Sequence, residues 1–158
     1  MTKLSLAVQY ATEAPELPRW RIRRWVQRAL EVAAEAFDPP IDTLILTIRI
    51  VGKEEGLALN STFRGRDYAT NVLTFNYDPM PGQDDVYQAD IVLCHDVLVM
   101  QAQEQRKTYL NHAAHLCVHA TLHALGFDHE EDQQAQEMEA LETRILASMG
   151  VPDPYQEQ

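Results

Sequence analysis

His119-Ala-Thr-Leu-His123-Ala-Leu-Gly126-Phe-Asp-His129 is the stretch from which the rest of this chain can be read. Residues 109–125 have a helical pattern, and on a helix His119 and His123 are offset by about 40° and about 6 Å along the axis. Both rings therefore leave one face. Gly126 can end the helix by entering the left-handed conformation at little steric cost. The chain can then turn back and deliver His129 to the same point. Three neutral imidazoles with a fourth position open form the donor set of a catalytic zinc. Six His and six Gly placed at random in 158 residues would produce the whole pattern roughly 0.0003 times, so chance is a poor explanation. His112 and His115 lie on the same helical stripe, but neither starts a closing register. From His115 the third ligand position falls on Leu125, and His112 has Leu116 four residues on.

The spacing resembles the metzincin form H-E-x-x-H-x-x-G-x-x-H at every defined position but one. Ala120 stands where those proteases carry the Glu that takes a proton from zinc-bound water. The ligand cage is kept and the peptidase base is missing, which argues against proteolysis.

Composition bounds the remainder. A chain of 158 residues with 46% hydrophobic content fits one domain, 1–158, with a substantial core. No stretch reaches the roughly 18 apolar residues of a membrane span, and the alternating N-terminus Met1–Tyr10 is unlike a signal peptide. Cys94 and Cys117 are isolated among apolar neighbours and read as buried free thiols, which with the missing signal makes the cytoplasm the expected compartment. The net charge of −11 weighs against indiscriminate nucleic-acid binding, because phosphate contacts need local positive charge. Much of the excess acid lies in residues 130–158, while Arg21, Arg24 and Arg28 share one helical face. That face is either an RNA patch or an ordinary solvated surface continued by Glu31 and Glu35.

Periodicity predicts strands over 4–10, 43–51, 71–77 and 89–94, and helices from Pro18 to Phe37 and over 53–63, 96–106, 109–125 and 131–148. Asp78–Asp85 is a Pro-, Gly- and Asp-rich loop, and the tail from about 151 to 158 is expected to be disordered. The order implies an α+β fold: a small mixed sheet of about four short strands, able to pair antiparallel, packed with helices, one of them a metzincin-like zinc helix.

Two further segments carry a family resemblance. Residues 60–75, Asn-Ser-Thr-Phe-Arg64-Gly-Arg-Asp67-Tyr-Ala-Thr70-Asn71-Val-Leu-Thr-Phe75, resemble the signature N-x-x-[YF]-R-x-x-D-x-x-T-[DN]-V-L-[ST]-F of the YbeY family. Ala89-Asp90-Ile91 is similar to that family's G-D-I strand, and His115–His129 to its H-L-x-V-H-G-x-L-H-L-x-G-Y-D-H; Met138, Glu142 and Ile145-Leu146 fit its closing helix. Ala89 and Ala120 replace usual glycines and Phe127 a common tyrosine. The Ala120 methyl is expected beside the first ligand, where it could narrow access to substrate.

The resemblance implies a single-strand-specific zinc-dependent endoribonuclease of bacterial ribosomal RNA, acting in 16S rRNA 3′-end maturation and ribosome quality control. It implies His119, His123 and His129 as ligands of one Zn2+ completed by water, with single-stranded rRNA and the ribosome or small-subunit proteins as partners. The acidic charge adds the expectation that the ribosomal particle or a protein presents the strand. Arg64 is the expected second electrostatic element beside His119 in catalysis, because a guanidinium can meet two phosphate oxygens at once. Asp128 either orients a ligand ring from behind or caps a turn, and His115 packs or hydrogen-bonds nearby. Asp67, Thr70 and Asn71 are expected to shape the turn before a strand. Two other readings stay open: a non-catalytic ribosome-assembly factor containing zinc, and a divergent metalloprotease with its base elsewhere.

Overall fold

The computed structural model describes residues 2–65 and 70–156, except for the side chain of Arg64. Its elements follow as β1 (Lys3–Tyr10), α1 (Arg19–Ala34), β2 (Thr43–Val51), α2 (Lys53–Arg64), β3 (Val72–Asn76), β4 (Val86–Cys94), α3 (His95–Glu104), α4 (Tyr109–Ala124) and α5 (Asp132–Ser148). The result is a single α+β domain with one mixed sheet.

The sheet order is β1-β2-β4-β3. The connections explain the strand directions. α1 crosses over between β1 and β2, which pair parallel, whereas β3 and β4 are joined by a short loop and pair antiparallel. β4 also pairs parallel with β2, so the sheet is mixed, as expected, with β3 as its antiparallel strand. Pairing with Thr43–Ile45 also extends β4 back to Val86, three residues before the periodicity begins.

Alternation along β2 puts Leu44, Leu46, Ile48 and Ile50 on one face, where Leu46, Ile48 and Ile50 sit opposite Ala89, Ile91 and Leu93. That face is covered by α1 through Ile22, Trp25, Val26, Ala29, Leu30 and Ala33, and by α4. α1 stops at Ala34, but Phe37 still seals the core edge-on to Tyr87 and Phe127. The opposite sheet face carries a smaller cluster, Val51, Leu73, Val92, Cys94 and Val97, beneath Leu59 of α2. Cys94 and Cys117 are buried and unpaired, as expected. No helix among the described residues is long and apolar enough to cross a membrane.

Of the tail expected to be disordered, residues 151–156 are held against the domain, while 157 and 158 lie outside the described residues. Lys107 Nζ donates to the Pro154 carbonyl at 2.8 Å, and Tyr155 reaches α5 through its hydroxyl. Pro152 and Pro154 stiffen the segment by fixing φ. The basic face of α1 is also partly spoken for: Arg21 bonds the Glu16 carbonyl, and Arg28 bonds Ser148.

Candidate metal centre

α4 is buried almost all round, with Ala113, Ala114, Leu116, Cys117, Val118, Ala120, Leu122 and Ala124 in the core. This packing fixes the rotation of the helix, and with it the one stripe that escapes burial. Thr108 caps the start by accepting from the Asn111 N–H at 3.1 Å. At the other end Gly126 adopts φ +96°, and the Phe127 N–H bonds back to the Leu122 carbonyl at 3.0 Å. This left-handed closure reverses the chain and carries His129 toward the helix face.

The three imidazoles meet as the spacing predicts. Ring centroids lie 4.5 Å apart for His119–His123, 5.0 Å for His123–His129 and 5.7 Å for His119–His129. The Nε2 atoms of His119 and His123 approach to 3.1 Å, and one donor atom from each of the three rings lies within 4.8 Å of the others. Burial pushes the His123 pKa down to about 4, assisted by repulsion from His119 and His129 and opposed by Asp128. The neutral ring is the form that offers a lone pair to a metal.

Behind His119 lies a residue that reading the motif alone does not reveal. Glu142 of α5 is fully buried, and its Oε1 accepts from His119 Nδ1 at 2.8 Å and from His115 Nε2 at 3.2 Å. Tyr155 donates to Oε2 at 2.6 Å. Burial alone would raise the Glu142 carboxyl, but these hydrogen bonds outweigh it and hold the pKa at about 2. An ionised carboxylate only accepts, so His119 must carry its proton on Nδ1 and keep Nε2 free. Nε2 is the atom facing His123. A signal existed: Glu142 falls on the buried stripe Met138, Ile145 and Leu146, where an isolated acid would be costly without partners.

His115, His119 and Glu142 also form a cluster of metal-ligating type. Its Glu142 oxygens are already taken by hydrogen bonds, and neither His115 nor Glu142 borders the cleft. The triad does. His119, His123 and His129 line a cleft of about 640 Å³ with Asn60, Thr70, Asn71, Thr74, Asn76, Asp128 and Glu130. Asn76 Nδ2 donates to the His123 carbonyl at 3.0 Å and ties β3 to the helix end. Thr70 and Asn71, expected only to shape a turn, are thus part of the wall, although Asn71 also donates to Gln101.

Asp128 Oδ1 accepts from the His129 N–H at 2.7 Å and stands 3.8 Å from His129 Nδ1, beyond hydrogen-bond reach. Ala120 is 0% exposed and packs in the core, so its methyl does not narrow the cleft. Arg64 ends α2; its side chain, like Arg66 and Asp67, lies outside the described residues. The donor set fits a divalent ion: three neutral-capable imidazoles, one with its tautomer set by a buried carboxylate, open onto a polar cleft.

Fold and site together define a small α+β protein with a cluster of three histidines at a helix end that could hold a metal ion. The profile of the family described as Endoribonuclease YbeY matches residues 7–150. The chain is 57% identical over 154 residues to the Endoribonuclease YbeY of Bordetella pertussis, covering 98% of this chain and 97% of the relative. It is 50% identical to that of Herminiimonas arsenicoxydans, covering 97% and 96%, and 49% identical to that of an Acidovorax species (strain JS42), covering 98% and 97%. The solution structure of TM1509 from Thermotoga maritima shares the fold, with a TM-score of 0.55, 20% identity, and coverage of 96% of this chain and 99% of that one. The chain belongs to the YbeY family.

Proposed function

We propose that this chain is a zinc-dependent endoribonuclease that hydrolyses phosphodiester bonds in single-stranded RNA, with His119, His123 and His129 as the metal ligands. The observation that carries the reading is the convergence of three imidazoles on an open polar cleft, with His119 oriented from behind by Glu142. Family membership adds the RNA-cleaving class.

An ion held by these rings supplies Lewis acidity, lowering the pKa of water toward about 7 and polarising a phosphoryl oxygen. The protein's own contributions are orientation and charge. Glu142 holds the His119 ring, and the Asn76 bond to the His123 carbonyl keeps the cleft wall in register with the helix end. Position 64 falls one helical turn beyond Asn60, which lines the cleft, so Arg64 is assigned to the charge that develops on the phosphate in the transition state.

The cellular role we assign is 16S rRNA 3′-end maturation and ribosome quality control in the cytoplasm. The net charge of −11 makes tight binding to arbitrary RNA unfavourable, so the ribosome or a small-subunit protein presents the strand. The test is cleavage of a single-stranded RNA by metal-replete protein, with chelator, His119→Ala and Arg64→Ala as arms. We expect cleavage that chelator and His119→Ala abolish and Arg64→Ala reduces by about 10²–10³. Intact RNA under metal-replete conditions, or undiminished cleavage by His119→Ala, overturns the reading.

A further inference from the structure

Beyond α5 the chain does not leave the domain. Gly150 turns it at φ +76°, and the Val151 N–H bonds back to the Leu146 carbonyl at 2.9 Å. Pro152 and Pro154 restrict the next residues. Two anchors then hold the segment: Lys107 Nζ on the Pro154 carbonyl at 2.8 Å, and Asp153, whose Oδ1 accepts from the Tyr155 N–H at 2.9 Å and from the Thr143 hydroxyl at 3.4 Å. The outcome is a strap that delivers one side chain, Tyr155, to the back of the metal centre. Its ring stands edge-on to His115 at 5.3 Å between centroids, and its hydroxyl reaches Glu142 Oε2.

Glu142 has two oxygens and both are used. His119 and His115 share Oε1, while Oε2 has Tyr155. His115 Nε2 serves Oε1 and also lies 3.2 Å from the Tyr155 hydroxyl. A carboxylate held at one oxygen only can rotate about its terminal torsion, which is broad and roughly two-fold. With Oε2 held as well, Oε1 stays aimed at His119 Nδ1.

We infer that Tyr155 is a positioning residue of the metal centre: its hydroxyl locks Glu142, and Glu142 in turn fixes the orientation and tautomer of the His119 ligand. The inference rests on the metal-binding reading proposed above. It makes the chain's C-terminal strap part of the site, acting through two hydrogen bonds on an atom it does not touch. Losing a partner behind a ligand costs about 10–100-fold in metal affinity; one step further removed, Tyr155→Phe is expected at the lower limit, about tenfold. Phe keeps the ring packing on His115 and removes only the hydroxyl.

The experiment uses the full chain and Zn2+ alone as probe. Affinity is measured by competition with a chromophoric chelator for wild type, His119→Ala and Tyr155→Phe. The ring-nitrogen NMR shifts of His119 are read in the metal-free protein, together with its melting temperature. The expected result is about tenfold weaker zinc binding by Tyr155→Phe and a mixture of His119 tautomers where wild type shows Nδ1–H, with a metal-free melting temperature lowered by the lost hydrogen bond to a buried carboxylate. Wild-type affinity with a single tautomer in Tyr155→Phe overturns the inference and leaves the metal centre standing. Weaker binding with a single Nδ1–H tautomer intact marks a merely structural role and overturns it too. A wild type that binds no zinc, like His119→Ala, overturns the metal reading and the inference together.

Discussion

The two halves of α4 carry the same residue type and put it to opposite uses. In the first half His112 is buried, its Nε2 bonds the side-chain Oε1 of Gln101 at 2.9 Å, and burial pushes its pKa down to about 4. In the second half His123 reaches about the same pKa, again first through burial, yet its ring borders an open cleft. Both are kept neutral. What differs is the neighbour: Gln101 closes one ring into the core, whereas two more imidazoles face the other. A depressed histidine pKa therefore marks burial here, and only convergence of donors marks a site.

The largest break in this comparison comes from His123→Ala. Zinc affinity should fall by more than the roughly 100-fold ceiling for residues behind the ligands, while the metal-free melting temperature stays near wild type; chelator competition and calorimetry read the two. Ala120→Glu comes next. Restoring the protease residue at a fully buried position should destabilise the fold by about 3–5 kcal/mol and yield no peptidase activity, because an unpaired charge is placed in the core. Denaturant titration beside a peptide-cleavage assay checks it.

Glu142→Gln keeps the volume and removes the charge that sets the His119 tautomer. Zinc should bind about 10–100-fold more weakly, measured by the same competition. The smallest change is His112→Ala: zinc affinity unchanged, stability lower by about 1–3 kcal/mol as Gln101 loses a partner.

His112 also predicts a pH dependence. Its folded pKa of about 4 lies below the ordinary 6.5, so the unfolded chain binds the extra proton first. Stability is full above about 6.5 and is lost as pH falls from there toward about 4. Urea midpoints of the metal-free protein across that window should decline, and His112→Ala should flatten part of the slope.

Much of the site was legible in the chain because it is local. His119, His123, Gly126 and His129 act within three helical turns, and the periodicities of α1, α4, α5 and β2 locate those elements to within a few residues. The parallel pairing of β1 with β2 and of β2 with β4 was not legible, since short apolar strands carry no mark of their partner's direction. Phe37 and the 151–156 strap were misread for a related reason: a residue past a helix end reveals its anchor only when the domain closes over it.

Sequence alone determined the donor set, the helix that spaces two of its rings, the glycine that returns the third, and the absent protease base at Ala120. Each depends on backbone geometry over a few residues. Tertiary structure decided which His119 nitrogen faces the cleft, because Glu142 is 23 positions away, and whether Glu142 is held, because Tyr155 comes from beyond the last helix. Hydrogen-bond partners across such separations are chosen by packing, which no local spacing encodes.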